Sequence, residues 1–295
     1  MITMLSGGGL GNQLFNYAAS RSLADRNRTE LVIDAVEYRT QWNATATRPL
    51  VLHRFPIRAK FRNFGPDPVR HWVGKRVVRR LREDMFTTRI QRLPDQLGFF
   101  SEFSTLGSRC ILNGHYIDPR FFLGNESRIK EDLALSESIV SNSVETQGIL
   151  DEISKTTSVS VHVRRGDLLE PANRWLLLPE IEKYYQKAFE LLEGRLCRLT
   201  LYIFSDDPDW CREKFRHTRL PINYVSTGIN SDPLHDFYLM TQCTHHVIAN
   251  SAFSWWAAWL ANGTNKQVLA PFRWETRGVV DMKHFLPAEW TRIVW

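Results

Sequence analysis

Three stretches in the second half of the chain constrain its fold most: VHVRRGD (Val161–Asp167), IFSDDPD (Ile203–Asp209) and HVIANSAFSWW (His246–Trp256). Each begins in aliphatic, largely β-branched residues, the pattern of a strand buried on both faces, and turns polar where such a strand would end. Strands of that kind belong to parallel sheets covered by helices. Ligands of an open parallel sheet bind in the crevice outside the carboxyl ends of its strands. His162, Arg164, Asp167, Asn250, Ser251 and Ser254 therefore become candidate ligand contacts.

Strand and helix patterns alternate around these runs. Met1–Leu5 reads as a strand, Gly7–Gly11 as a turn, and Leu14, Phe15, Ala18, Ser22 and Leu23 as one helical face, with a second strand at Leu31–Asp34. From Ser158 onward the periods predict strands at Ser158–Val163, Leu199–Phe204, Ile222–Val225, His246–Ala249 and Gln267–Ala270. Helices are expected at Glu180–Leu192, closed by Gly194 as a left-handed cap, from Trp210, at His235–Gln242 and at Ala252–Ala261. The fold class is α/β, with two Rossmann-like lobes facing a cleft, residues 1–150 and 151–295, and a boundary in the polar stretch around 140–157.

A net charge of +6 and a pI near 9.2 favour anionic partners without choosing among phosphates, nucleic acid and membrane. Cys110, Cys197, Cys211 and Cys243 show no CxxC spacing, which argues against a zinc site or a disulfide framework and for a reducing compartment. Met1–Leu5 runs into glycines without the apolar core of a signal peptide, and no window reaches the ~18 apolar residues of a spanning helix. A cytoplasmic protein, at most peripheral on the inner face of a membrane, is expected. Lys75, Arg76, Arg79, Arg80 and Arg82 share a predicted helix with Trp72, Val73, Val77, Val78 and Leu81, as a solvated face or as a surface resting on anionic lipid. Nothing there has the aromatic strand surface or groove-reading motif of a nucleic-acid binder.

The glycine turn GGGLGNQ lacks the third glycine of the dinucleotide fingerprint in either register. Gly11, Asn12 and Gln13 remain candidate substrate contacts, because small residues admit close backbone approach and a helix start offers free N–H groups; a purely structural turn is the competing reading. In HVRRGD, adjacent Arg164 and Arg165 point to opposite sides of extended backbone, and His162 shares a side with Arg164. Arg164 has the donor fork that suits a phosphate, whereas Arg165 is the better candidate to pair with Asp167 and hold the loop. Asp207 and Asp209 could form a DxD metal site of a metal-dependent sugar-nucleotide transferase. Their grammar is instead that of a helix start, with Asp207 as N-cap, Pro208 at the first position and Asp209 in the first turn, so no metal is expected. Asp236 is either a first-turn acid or a group paired with a nucleobase edge. Trp255, Trp256 and Trp259 recur at core spacing.

Taken in order, GGGLGNQLFNYAASRSLA, HVRRGD, IFSDD and HDFYLMTQCTHHVIANSAFSWWAAWL resemble the bacterial α-1,2-fucosyltransferases of glycosyltransferase family 11, from the first strand to about residue 262. The resemblance implies a GT-B fold, GDP-β-L-fucose as donor, no metal, and inverting transfer to the 2-hydroxyl of a galactose-terminated glycan. It implies an acceptor side in the first lobe and a donor side in the second. On the same basis Arg164 would hold the β-phosphate, His162 would lie beside the donor, Asp236 would read the guanine amino edge, Ser251 and Phe253 would lie along the nucleotide, and Asn12 would approach the fucose or acceptor. Arg165 and Asp167 would organise the loop. In the transfer itself either Asp167 or Glu170 is a candidate general base, or an oxocarbenium-like transition state leaves little for a base to do. Two positions depart from the family pattern: Ala252 stands where NSSFSWW has serine, and Leu168 where a tyrosine usually follows HxRRGD.

Overall fold

A computed structural model describes residues 1–5, 7–35, 49–63, 88–92, 98–136, 144–225 and 232–295. The basic segment at 72–82 lies outside the described residues. The chain divides into two compact units, Met1–Asp132 and Leu133–Trp295.

The first unit carries strands β1 (Ile2–Leu5), β2 (Leu31–Asp34), β3 (Lys60–Arg62), β4 (Thr88–Arg92) and β5 (Cys110–Gly114) and helices α1 (Leu10–Arg26) and α2 (Glu126–Asp132). Its sheet runs in the order β3-β2-β1-β5-β4 with every pair parallel. Leu14, Phe15, Ala18 and Leu23 of the predicted face are buried and Ser22 is half-buried, but Gln13, Asn16, Tyr17, Ser20 and Ala24 are buried as well, so α1 is covered nearly all round rather than along one face. A buried polar tie adds to this packing: Tyr17 Oη and Arg21 Nε donate to Oδ2 of Asp132 at 2.7 and 2.9 Å, joining α1 to α2. Helix α1 starts at Leu10, earlier than expected, so Gly11 stands in its first turn rather than before it.

The second unit contains α3 (Val144–Lys155), β6 (Thr157–Val163), α4 (Ile181–Glu193), β7 (Leu199–Ser205), α5 (Pro208–Phe215), β8 (Ile222–Tyr224), α6 (Pro233–Gln242), β9 (His245–Val247), α7 (Ala252–Leu260), β10 (Val268–Pro271), α8 (Met282–Phe285) and β11 (Thr291–Ile293). A division between residues 150 and 151 would cut α3. The sheet order is β11-β10-β9-β6-β7-β8, parallel throughout. The chain winds outward from β6 through β7 to β8, then returns beside β6 to begin β9, β10 and β11. The winding therefore reverses between β6 and β9, which places the topological switch point there.

Val159, Val161, Leu201, Ile203, Val247 and Leu269 fill the sheet interior against Tyr184, Ala188 and Leu192 of α4. Helix α7 is buried nearly all round; Trp255 stacks with Trp259 at 5.9 Å and donates its Nε1–H to the Phe285 carbonyl at 3.1 Å. These tryptophans pack the interior. Strand β11 was not foreseen, since a three-residue Thr-Arg-Ile run carries too little periodicity to register. Gly194 sits at φ −72°, an ordinary right-handed conformation, so the expected left-handed cap is not used. Among the described residues, no helix is long and apolar enough to cross a membrane.

Candidate active site

Strand β6 ends at Val163, and the next residues make a tight loop whose shape comes from side chains of β7's exit. The Asp206 carboxylate accepts from the backbone N–H of Arg165 at 2.8 Å and of Gly166 at 3.0 Å. A Cβ on Gly166 would lie 2.9 Å from Asp206 Oδ2, so glycine is what admits this approach. Asp207 accepts from Trp210 N–H at 3.1 Å as the N-cap of α5, and Pro208 occupies the first helical position. Asp209 is exposed and pairs with Arg212 at 2.9 Å. The IFSDDPD run is thus a helix start that also clamps the neighbouring loop.

The partner expected for Arg165 is taken by its neighbour. Arg164, not Arg165, forks onto Asp167, with Nε to Oδ1 at 2.9 Å and Nη2 to Oδ2 at 2.7 Å. Arg165 donates to Asp207 Oδ2 at 2.9 Å and lies 4.5 Å over the Trp210 ring. The reason is geometric: 164 and 165 face opposite sides, and the side of 165 meets α5. Asp167 engages two guanidinium donors, leaving it suited to aiming Arg164 rather than to accepting a proton. Glu170 is exposed at the close of the loop.

His162 lies beside this pair. Its ring packs 5.4 Å from Phe253, which in turn meets Phe237 at 5.2 Å, and its Nδ1 is buried without a hydrogen-bond partner. Burial pushes its pKa down to about 3, helped by the Arg164 charge and opposed by Asp236. A ring that weakly basic stays neutral at working pH. It can pack or hydrogen-bond beside a bound group but cannot serve as an effective proton acceptor. Behind it, Tyr185 Oη donates to the His162 carbonyl at 2.8 Å, while Tyr184 Oη lies 2.7 and 2.9 Å from the Ile248 and Leu269 carbonyls. Two neighbouring tyrosines of α4 thereby tie down the strand ends that carry the site.

Across the switch point, β9 leads through Asn250 into α7. Ser251 is the N-cap by position, but its hydroxyl makes no bond to its own helix, and the first turn holds no acid. The helix N-terminus therefore offers backbone N–H groups and partial positive charge toward the end of β6. Asn250 does not join it. Its Nδ2 donates to the Leu176 carbonyl at 2.6 Å and the Trp274 carbonyl at 2.9 Å, which uses both amide hydrogens to staple two loops together. Ser254 is likewise withdrawn: it is fully buried, with Oγ 3.3 Å from the Ser251 carbonyl and 3.5 Å from that of Ala249. Asp236, in the first turn of α6, has a side chain 16% exposed and lies 3.4 Å from His235 Nδ1.

The loop after β10 is organised by a residue that the sequence patterns did not single out. Glu275 is buried, and its carboxylate accepts from the backbone N–H groups of Arg277, Gly278, Val279 and Val280. The N–H and Oγ1 of Thr276 both meet the Trp175 carbonyl at 2.9 Å, and Arg277 lies 4.7 Å over the Trp175 ring. A lone acid in this stretch carries no periodicity that would single it out.

In the first unit, α1 opens without a side-chain cap after Gly8, which has φ +78°, and Gly9. Asn12 Nδ2 stands 3.4 Å from His115 Nδ1, just past the end of the adjacent strand β5. Gln13 is not a free contact. Its Nε2 donates to the Gly8 and Pro49 carbonyls at 3.0 and 2.9 Å, and its Oε1 accepts from Val51 N–H at 2.9 Å. Gly11 is buried within the helix. Of the three candidates here, Asn12 alone presents a partly exposed side chain.

Two units, each built on a parallel sheet flanked by helices, are the architecture of GT-B glycosyltransferases. A crystal structure described as POFUT1 in complex with GDP-fucose shares the fold at TM-score 0.50 and 12% identity, over 91% of this chain and 97% of that one. The profile of glycosyl transferase family 11 matches residues 114–293, more than half of the chain, and the chain belongs to that family. Its relatives include the Alpha-1,2-colitosyltransferase of Escherichia coli, 26% identical over 97% of this chain and 96% of that protein. The O-antigen biosynthesis glycosyltransferase WbnK of Escherichia coli is 27% identical over 93% and 94%. Galactoside alpha-(1,2)-fucosyltransferase 1 of Oryctolagus cuniculus is 27% identical over 87% of this chain and 63% of its own length. The protein is a glycosyltransferase.

Proposed function

We propose that the protein transfers L-fucose from GDP-β-L-fucose, with inversion, to the 2-hydroxyl of a terminal galactose on a glycan. The observation that carries this reading is the pairing, at one switch point, of the forked Arg164 with the uncapped start of α7. Both are cationic or positively polarised, and both are preorganised. The relatives named for α-1,2 transfer supply the linkage.

Cleavage of the bond between C1 of fucose and the β-phosphate oxygen leaves positive character on the sugar and an added negative charge on GDP. In this reading Arg164 and the N–H groups beside Ser251 meet that charge, and losing one such donor typically costs ~10²–10³ in rate. Asp167 aims Arg164. His162, neutral and packed on Phe253, lies along the donor, and Asp236 meets the guanine edge. Asn12, at the first unit's own helix start, is that unit's candidate substrate contact. No divalent ion is assigned a part, because Asp207 caps α5 and holds Arg165 while Asp209 pairs outward with Arg212. Peripheral contact with an anionic membrane through the basic segment at 72–82 belongs to the same reading, and binding to nucleic acid does not. Co-sedimentation with anionic vesicles at low salt tests that contact; its absence removes it.

The deciding experiment incubates the protein with GDP-fucose, or with the GDP derivative of colitose, which lacks the 3-hydroxyl of fucose, and a panel of galactose-terminated acceptors, followed by linkage analysis. Formation of an α-1,2-fucosyl galactoside is expected. Turnover of the colitose donor alone, or of another nucleotide sugar, would overturn the donor assignment.

A further inference from the structure

We propose that the loop after β10 carries a second anion subsite, in which the guanidinium groups of Arg273 and Arg277 take an oxyanion, a carboxylate or a phosphate, on the sugar next to the acceptor galactose. This rests on the reading of the switch point as the transfer site and extends it to the class of acceptor. Segment 273–280 leaves the carboxyl end of β10, the side on which an open parallel sheet binds its ligands. Its joins to the site are direct. Asn250, the residue before Ser251, donates to the Trp274 carbonyl at 2.9 Å. Asn173 donates to the Asp167 carbonyl at 2.9 Å, in the same loop whose Trp175 carbonyl holds Thr276. Arg273, Trp274, Thr276, Arg277 and Met282 are among the residues lining a cavity of ≈ 330 Å³, within the range of about 300–1,000 Å³ common to small-ligand pockets.

The charge balance of this cavity is positive. Glu275, the acid of its lining, is buried and turned to the backbone N–H groups of residues 277–280, so it is spent on the loop itself. Among the described residues, neither exposed guanidinium has an ion-pair or hydrogen-bond partner. Each lies over an aromatic ring instead, Arg273 at 4.9 Å from the Phe272 centroid and Arg277 at 4.7 Å from that of Trp175. A guanidinium resting on a ring keeps its edge donors for another group, and that fork matches the paired oxygens of a carboxylate or phosphate. The donor diphosphate already has Arg164 and the start of α7, so this second cationic pair serves a different charge. In this assignment the galactose meets the donor at the switch point, and its neighbouring sugar lies against the β10 rim.

The test is an NMR titration of the full-length protein saturated with GDP, which occupies Arg164 and the start of α7. Three saccharides of one skeleton are compared: lactose, galactosyl-glucuronic acid and lactosyl phosphate. At least one anionic saccharide is expected to bind about tenfold more tightly than lactose at low salt, the size of a hydrogen bond to a charged group at a partly exposed site. Tighter binding of the uronate alone assigns a uronic acid, and of the phosphate alone a sugar phosphate. Arg273→Gln and Arg277→Gln are each expected to remove most of that preference with unchanged thermal melts, since Glu275 sets the loop's course. Arg277→Lys, which keeps the charge but not the fork, should retain part of it, and added salt should narrow it. Equal binding of all three saccharides by the parent, or a preference that both glutamine variants retain, overturns the subsite. Fucosyl transfer to the same saccharides is followed separately. Its absence with the binding preference intact overturns the proposed function and leaves the anion subsite standing.

Discussion

Replacing Asp167 by asparagine separates two roles that a carboxylate beside Arg164 could play. Both of its oxygens accept from the guanidinium, at 2.9 and 2.7 Å, and each side chain is 24% exposed. Asparagine keeps one acceptor oxygen but removes the charge and one arm of the fork. A hydrogen bond to a charged partner is worth roughly 1.5–3 kcal/mol in a dry setting, and partial exposure brings this to ~1–2 kcal/mol. If the leaving diphosphate is stabilised through a guanidinium aimed by Asp167, that energy appears as a ~5- to 30-fold fall in kcat/KM. The shape of the pH–rate profile should not change, because no titrating group of the reaction has been removed. A general base would behave differently: its loss typically costs ~10²–10⁴ and abolishes the limb of the profile that reports its ionisation. Steady-state kinetics of both proteins from pH 5 to 9, with GDP-fucose saturating and limiting, provide the measurement. A variant within twofold of the parent, or one more than ~10³-fold slower with a missing acid limb, refutes the positioning argument.

Gly166→Ala should force the Asp206 carboxylate aside and loosen its two bonds to the loop backbone, lowering stability by about 1–2 kcal/mol and transfer activity more than stability; thermal melts read beside kcat/KM check this, and a fully active variant contradicts it. Asn250→Ala strands two loop carbonyls and should cost about 1–3 kcal/mol in urea melts, while Ser251→Ala should leave the melt unchanged and raise the KM for the nucleotide sugar. Acid should destabilise the fold well above the carboxylate range. His246 is fully buried, and burial, with the charges of Lys266 and His245, pushes it down to about 3 from its ordinary 6.5. Its ring takes up a proton on unfolding throughout the interval between those values, so stability falls as pH drops through it, by roughly 2 kcal/mol between pH 7 and pH 5. Urea midpoints that stay level over that range, at constant m-value, would count against a buried neutral ring.

Much of the architecture was legible because long apolar runs with polar ends leave few alternatives to a parallel sheet. Strands β6, β7, β9 and β10 follow from that pattern, and the cap at Asp207 from Asp-Pro-Asp. What escaped depends on three-dimensional partners. Residue type alone suggested that Arg165 would pair with Asp167, but the direction of each side chain decided in favour of Arg164. Asn250, Ser254 and Gln13 have the right chemistry at the right place for a ligand, yet backbone carbonyls and N–H groups of neighbouring segments take up their capacity, and no local spacing reveals such demand.

The segment from Arg273 to Val280 draws its outline from one inward carboxylate and one foreign carbonyl, so its course is nearly independent of what its outward side chains are. Thr276 keeps its place through its backbone N–H and its hydroxyl alike, Arg277 lies over the Trp175 ring, and Val279 projects into solvent without shaping the turn. Such a rim can exchange its vocabulary while its contour persists. Descendants of this chain, or a library randomised at 279, could therefore sample new neighbours without relearning how to fold.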